Sequence, residues 1–320
     1  MTTPVTLVAL RSVQDLRRLL HTGFTTVREL GTKAGAHLSR AVEEGSIEGP
    51  RIISCGRAIA QTGGDDDPTI LPLDTAQQLA SYSYFCDGPW ECRHAVRKVI
   101  RDGAQVVKLY ASGSFAQGGK IRLQFTVEEI KAIVDEGHRA AVKVTAHAYG
   151  EEALMNVVEA GVDSIEHGLG LTPRVAEEIR KKGIFYVPTM TAYLAAGPST
   201  NPQRDAMIKK HLIEDLKIAK EYDLKVANGS DTIGDLVHPH GQNYQEIVAV
   251  AKFFGNQEAL VSATSRAADC VGDPKIGRIK KGCISDIAIV KGNPGDDIES
   301  LAPANVLHVI KQGKLYSNPA

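Results

Sequence analysis

The sequence predicts an α/β fold in which strands and helices alternate around a barrel. Seven apolar, strand-like segments are separated by stretches of helical periodicity, and most of these helical stretches end in glycine, as expected at a helix C-cap before a strand. Such alternation implies parallel βαβ units. The chain has 320 residues, of which 43% are hydrophobic, which suffices for a barrel with a large core.

The predicted strands are rich in β-branched residues and are separated by turn and helix signals. They cover residues 24–30, 51–59, 106–112, 142–148, 163–168, 184–190 and 224–231. The helical stretches between or after them cover residues 90–103, 126–141, 150–161, 173–183, 243–254 and 256–269.

The first twenty residues can be interpreted in two ways. Apolar residues recur from Val5 to Leu20 at steps of three or four, as an amphipathic helix requires, and Gly23 is a natural C-cap. The short apolar segment 4–10 could instead be a strand. We favour the helix, because the periodicity continues without a break into residues 15–23.

The composition changes after Gly272. Residues 276–294 and 305–317 alternate as strands do, and Lys311-Gln312-Gly313 has the character of a hairpin turn. We therefore expect a barrel domain over residues 1–272 and a β-strand segment over residues 273–320.

Four polar residues stand at the ends of strand-like segments: Lys108, His147, His167 and Asp231. In an α/β barrel the C-terminal strand ends meet at one rim, where active sites lie. Two histidines, a carboxylate and a lysine gathered there can hold a divalent metal and activate water. Each residue also has a simpler interpretation: rim histidines satisfied by hydrogen bonds, a lysine reaching solvent, and an aspartate that caps a turn.

Several longer stretches resemble the metal-dependent amidohydrolase superfamily, in particular its imidazolonepropionase-like, Xaa-Pro dipeptidase-like and ochratoxinase-like branch. The matching stretches are GFTTVRELG (23–31), GAQVVKLYASG (103–113), VTAHAYG (144–150), GVDSIEHG (161–168), VPTMTAY (187–193), NGSDT (228–232) and IGRIKKGCISDIAIVKGNP (276–294). They follow the order of the family and cover nearly the whole chain.

The resemblance implies a (β/α)8-type TIM barrel with a small β-sandwich built from both chain ends. It also implies two metals bridged by a carboxylated lysine, with a His-x-His pair on the first strand. This chain has no His-x-His near its start, and its only such pair is His238-Pro239-His240. We therefore expect a barrel that lacks its first strand, followed by a C-terminal remnant of the sandwich.

The resemblance assigns the surviving ligands to one complete metal site, formed by Lys108, His147 and His167, and makes Asp231 both a further metal-site residue and the catalytic aspartate. We expect one divalent metal ion per chain, with zinc the expected metal and Lys108 a candidate for carboxylation. In the expected mechanism Asp231 accepts a proton from the attacking water and passes it to the leaving nitrogen.

Two further residues are candidate catalytic groups. Tyr193 could donate a hydrogen bond to a developing oxyanion, or could simply pack under a loop. His240 could contact substrate or a metal, or could lie exposed in its loop. The acidic run Asp65-Asp66-Asp67 stands where relatives often carry a histidine; it could bind a cation or form a solvated turn.

These observations predict a metal-dependent hydrolase that cleaves an amide or peptide-like C–N bond in a small-molecule substrate. One alternative is a repurposed barrel that acts as a lyase, isomerase or cyclase without a metal. A second alternative is a truncated gene product without activity.

Charge and cysteine content bound the partners and the compartment. The net charge of -1 gives no reason to expect nucleic acid or a membrane surface as partner. Five cysteines without CxxC spacing predict reduced thiols in the cytoplasm, and Cys86 and Cys92 could pair, although free thiols are favoured.

A missing first strand exposes two strand edges, which predicts a homo-oligomer or N-terminal residues folded into the gap.

Overall fold

The computed structural model describes residues 3–80, 82–115, 121–194, 199–234 and 239–317. Twelve strands are found in this part of the chain, and most of them are short. They are β1 (Thr26–Glu29), β2 (Arg51–Ser54), β3 (Ala58–Ala60), β4 (Ser83–Phe85), β5 (Val106–Tyr110), β6 (Lys143–Ala148), β7 (Ser164–His167), β8 (Phe185–Val187), β9 (Lys225–Val226), β10 (Ile287–Val290), β11 (Val306–Lys311) and β12 (Lys314–Ser317).

Parallel pairing dominates the centre of the molecule. A seven-stranded sheet has the order β4-β3-β5-β6-β7-β8-β9, and β1 pairs in parallel with β2 beside it. Strands β10, β11 and β12 form a separate antiparallel sheet. With helices between its strands, this arrangement confirms the predicted α/β barrel-type fold with a small C-terminal sheet.

Five predicted helical stretches, 90–103, 126–141, 150–161, 173–183 and 243–254, begin and end within two residues of helices in the structure, whereas the one helix predicted over 256–269 is wrong, because the chain breaks there at Thr264. The helices are α1 (Val5–His21), α2 (Gly35–Glu43), α3 (Leu73–Thr75), α4 (Gly88–Arg101), α5 (Val127–Arg139), α6 (Glu151–Ala160), α7 (Pro173–Lys182), α8 (Met190–Leu194), α9 (Pro202–Lys210), α10 (Leu216–Glu221), α11 (Tyr244–Phe254), α12 (Asn256–Ala263) and α13 (Ser265–Val271). Single π-helical segments cover Ala76–Ala80 and His211–Asp215, and 3-10 turns cover Ile298–Leu301 and Pro303–Asn305. Within the described ranges, no helix has the length and apolar character needed to cross a membrane.

Local chemistry explains several helix ends. Thr126 and Glu129 form a capping box at the start of α5, in which each side chain accepts a hydrogen bond from the backbone N–H of the other residue. Helices α6 and α7 end at Gly161 and Gly183, both left-handed. The chain therefore turns back into β7 and β8 where the sequence pattern predicts.

The N-terminal residues form helix α1, which confirms the helical interpretation; a substitute strand over residues 4–10 is wrong. Leu20 of α1 packs against Val306 and Val309 of β11. In the described part of the chain, β1 pairs only with β2 and β9 only with β8. No described strand fills the place of a first barrel strand between them.

The prediction of one strand over residues 51–59 is wrong. The chain turns at Gly56, whose φ is +58°, and splits the segment into β2 and β3. Strand β2 pairs with β1, whereas β3 pairs with β4 and β5. The short strand β4 was not predicted, because three residues carry too little periodicity to be recognised.

The C-terminal sheet forms as predicted around a two-residue hairpin. Gln312 and Gly313 both have positive φ, +52° and +78°, as a type I′ turn requires. The buried Lys311 side chain donates a hydrogen bond from Nζ to the carbonyl oxygen of Gly49 at 2.7 Å. This contact and the packing of Leu20 fasten the sheet to the barrel.

Candidate metal and catalytic site

Three of the predicted ligands meet at the C-terminal strand ends. Lys108 on β5, His147 on β6 and His167 on β7 are all buried, with 4%, 3% and 8% of their surface exposed. Strand register places Tyr110 opposite His147 and Ala148 opposite His167. The two imidazole ring centroids are 4.8 Å apart. The structure therefore brings the two histidines together, and Lys108 is close enough for its charge to act on both of them.

His147 is oriented with one nitrogen free. Its Nε2 is buried and has no hydrogen-bond partner among the residues that the structure describes. Burial, followed by the charge of Lys108, lowers the pKa of His147 to about 3. The ring is therefore neutral, and its unpartnered Nε2 has the lone pair that a metal ligand needs.

His167 is fixed in a similar way. Its Nδ1 is 2.8 Å from the hydroxyl of Thr189, and burial holds its pKa well below the usual range. The residue has a φ of +68°, an uncommon backbone conformation that clusters at functional sites. The next residue, Gly168, must be glycine, because a Cβ there would lie 2.2 Å from Cε2 of the buried Tyr186.

Lys108 is a buried amine without a hydrogen bond to any residue that the structure describes. The centroid of the Tyr110 ring lies 5.4 Å from Nζ. Burial lowers the pKa of Lys108, and the negative charges of Glu166 and Asp231 oppose this shift. The environment therefore favours the neutral amine more than water does.

Asp231 follows β9 at the same mouth, with a φ of +52°. Solvent reaches its side chain, yet enough protein surrounds the carboxylate that desolvation raises its pKa to about 6, against the opposing charge of Lys108. A carboxylate with this pKa can both accept and donate a proton near neutral pH.

A pair of tyrosines lies beside the histidines. The hydroxyls of Tyr149 and Tyr193 are 2.7 Å apart, and both side chains are buried. The Tyr149 ring centroid is 4.3 Å from that of His147, and the Tyr193 centroid is 6.1 Å from that of His167. Sequence reasoning singled out Tyr193 but missed Tyr149, although its place two residues after His147 was a usable signal.

An ion pair beneath the site was also missed. Arg28 on β1 donates a hydrogen bond to Glu166 on β7 at 2.6 Å and to the Ser164 hydroxyl at 2.9 Å. Glu166 is buried, and it precedes the ligand His167. The pair links β1 to β7, two strands that do not pair with each other, one residue before His167.

His240 lies apart from this cluster. Its backbone N–H donates to Asp15 Oδ1 on α1 at 3.3 Å, and its ring contacts Asn243. Neither contact involves Lys108, His147, His167 or Asp231, so the structure does not bring His240 together with them. His238 lies outside the described residues.

The acidic loop is held by hydrogen bonds of its own. Asp65 Oδ1 accepts from both the backbone N–H and the hydroxyl of Ser114 at 2.7 Å, and Asp67 Oδ2 accepts from Gly63 N at 2.8 Å. Asp67 and Gln124 line a cavity of about 490 Å³ next to Gly113. None of the four predicted ligands lines this cavity.

The donor set fits one metal ion only if Lys108 takes part. Among the described residues, no group of three or more His, Cys, Asp or Glu side chains is arranged to hold a metal. His147 and His167 supply two neutral nitrogen donors, the first of them an orphaned buried atom. A lysine ammonium cannot be a ligand, so the third donor requires a deprotonated or carboxylated Lys108.

The chain matches a known protein family over nearly its whole length. Residues 2–316 match the family model described as "Amidohydrolase family". An ochratoxinase of Aspergillus niger is 31% identical over 328 residues, which cover 94% of this chain and 67% of that protein. The crystal structure of A. niger ochratoxinase has a TM-score of 0.91 at 30% identity and covers 99% of this chain and 77% of its own.

Two further solved structures are similar over nearly the whole chain. A prolidase complexed with N-methylphosphonate-L-proline has a TM-score of 0.90 at 34% identity, covering 99% of this chain and 81% of its own. A Xaa-Pro dipeptidase with methionine bound in the active site has a TM-score of 0.87 at 32% identity, with the same coverage of 99% and 81%.

Proposed function

From its membership of the amidohydrolase family, which makes this chain a hydrolase that acts on C–N bonds, we propose a metal-dependent enzyme that cleaves an amide or peptide-like bond in a small substrate. The observation that carries the proposal is the pair of neutral histidines, His147 and His167, beside a buried lysine. Nε2 of His147 has no partner among the described residues, and a buried polar atom in that state costs stability, which supports a ligand role for it.

One zinc ion per chain is the proposed metal, with Nε2 of His147, Nε2 of His167 and a carboxylated Lys108 as its ligands. Imidazole nitrogen and carboxylate oxygen are common zinc ligands. When bound, such an ion supplies Lewis-acid polarisation of the substrate carbonyl and lowers the pKa of water.

The environment of Lys108 supports its carboxylation. Its lowered pKa favours the neutral amine, which is the form that can attack the carbon of carbon dioxide. The nitrogen then loses a proton and a carbamate remains, which converts a buried cation into an oxygen donor. The same change removes the positive charge of Lys108 that acts on His147 and Asp231.

Asp231 is proposed to move the proton. It accepts a proton from the attacking water and later delivers it to the leaving nitrogen, so that the amine departs neutral. The pKa of about 6 suits both steps near neutral pH.

Tyr193 is proposed to stabilise the developing oxyanion. Burial raises the pKa values of Tyr193 and Tyr149, so both phenols stay protonated and can donate hydrogen bonds. Their 2.7 Å contact allows only one of the two hydrogens to lie between the oxygens, which leaves the other free for a substrate.

The proposal is tested with a substrate panel. The purified chain, with added zinc, is incubated with N-acyl amino acids and Xaa-Pro dipeptides, and mass spectrometry follows the released acid and amine. We expect at least one compound to be cleaved at its C–N bond by the wild type and not by His167→Ala. A reaction that isomerises or eliminates without hydrolysis, and survives removal of metal, would favour the repurposed barrel instead.

We also propose that the chain assembles as a homo-oligomer and works in the cytoplasm. The outer edges of β1 and β9 carry no strand partner within the described residues, and such edges attract pairing. The five free thiols, four of them buried, suit a reducing compartment. Light scattering that gives the mass of a monomer at micromolar concentration would contradict the assembly.

A further inference from the structure

Glu246, in the first turn of α11, is a buried carboxylate that the mechanism above does not use. None of its surface is exposed, and it forms no ion pair with a residue that the structure describes. Its oxygens accept three hydrogen bonds, from Met190 N at 2.9 Å, Thr191 N at 2.7 Å and Thr191 Oγ1 at 2.7 Å. Burying a carboxylate is costly, and these three hydrogen-bond donors compensate part of that cost.

The segment that is hydrogen-bonded to Glu246, residues 190–191, lies between two residues that contact the candidate site. Thr189 precedes it and meets Nδ1 of His167 through its hydroxyl at 2.8 Å. Tyr193 follows it and contacts the hydroxyl of Tyr149. Glu246 therefore holds the backbone from which the orientation of His167 is set.

The same carboxylate is linked to Asp231. The single hydrogen of the Thr191 hydroxyl is shared between Glu246, at 2.7 Å, and the carbonyl oxygen of Ser230, at 3.1 Å; Ser230 directly precedes Asp231. Asn243, just before α11, donates from its amide nitrogen to the Ser230 hydroxyl at 3.0 Å. One end of α11 thus contacts the segments after β8 and β9 together.

We propose, on the basis of the function proposed above, that Glu246 is a positioning residue that sets His167 and Asp231 relative to each other through Thr191. Groups that orient metal ligands are worth about 10- to 100-fold in metal affinity or activity when they are removed. Glu246 reaches His167 through the Thr189 hydroxyl and reaches Asp231 through the Ser230 carbonyl. A change at one residue should therefore affect both metal retention and turnover.

The test compares Glu246→Gln with Glu129→Gln. Glu129 accepts the same donor set, two backbone N–H groups (Gly88 and Thr126) and the Thr126 hydroxyl, but lies at the start of α5 and contacts none of the site residues. For Glu246→Gln we expect kcat to fall, and zinc release to a chelator to accelerate, by about 10- to 100-fold. For Glu129→Gln both should stay within about twofold of the wild type, whatever its effect on the melting temperature.

Thr191→Val provides the second variant, because it keeps the β-branched shape and both backbone hydrogen bonds to Glu246. It should reproduce part of the loss, and the double variant should be no worse than Glu246→Gln alone, since both changes break one chain of contacts. Unchanged zinc release in Glu246→Gln, or multiplicative losses in the double variant, would overturn the inference. A chain that binds zinc but cleaves no amide would refute the proposed function and leave the zinc-release test intact.

Discussion

Replacing Glu29 by glutamine should flatten the pH dependence of folding stability. Glu29 ends β1, where it accepts hydrogen bonds from Gly31 N and from the Ser54 hydroxyl, each at 2.6 Å. Desolvation nevertheless raises its pKa from 4.5 to about 7. The folded state therefore holds this proton more tightly than the unfolded chain, so the contribution is fully present below pH 4.5 and is lost as pH rises through 7.

The size of the loss follows from the two pKa values. A difference of about 2.5 units corresponds to about 3.4 kcal/mol at high pH. Between pH 5 and pH 8 the free energy of unfolding should lose about 2.5 kcal/mol through this group alone. Glutamine does not titrate, and its amide can donate to Ser54 while its oxygen still accepts from Gly31.

Urea denaturation at pH 5 and pH 8 measures the effect. The wild type should lose about 2.5 kcal/mol more than Glu29→Gln over this interval. Glu128→Gln, on the exposed face of α5, serves as control and should follow the wild type. Equal losses in the wild type and Glu29→Gln, or a wild type that gains stability relative to the variant as pH rises, would refute the reasoning.

Three further substitutions probe the site and its support. Asp231→Asn removes the proton acceptor but keeps the shape, so kcat should fall by about 10²- to 10⁴-fold, with zinc content by elemental analysis unchanged. Arg28→Met removes the ion-pair partner of the buried Glu166, which keeps its hydrogen bonds from Thr145 and Ser164, and should cost about 3–5 kcal/mol in urea denaturation. Gly168→Ala places a Cβ against Tyr186 at a positive φ, and should lower the free energy of unfolding by at least about 2 kcal/mol.

Much of the fold could be predicted because its signals are local. Short segments suffice to recognise the helical periodicity over residues 5–21 and the two-residue turn at Gln312 and Gly313. The structure contains both. The positions of His147 and His167 could be predicted for the same reason. Each stands at the end of an apolar strand, and a barrel brings all such ends to one rim.

The remaining features depend on contacts between distant parts of the chain. Arg28 and Glu166 are 138 positions from each other in sequence, and neither strand alone indicates that the other residue faces it. Glu246 looks like an ordinary charge in a helix until the backbone of Thr191 is placed against it. The break at Gly56 depends on which strands β2 and β3 pair with. The sequence of a continuous apolar segment does not indicate those pairing partners.

Zinc content measured by elemental analysis, on wild type and His167→Ala purified without chelator, tests the central claim most directly. Because two neutral imidazoles and Lys108 form a single donor set, the wild type should hold one zinc per chain. His167→Ala should hold none, since two remaining protein donors are too few to retain the ion. Dialysis of the wild type against a strong chelator should remove hydrolysis of the panel substrate, and one equivalent of zinc should restore it. Full hydrolysis by a chain shown to be free of metal would contradict the proposed mechanism.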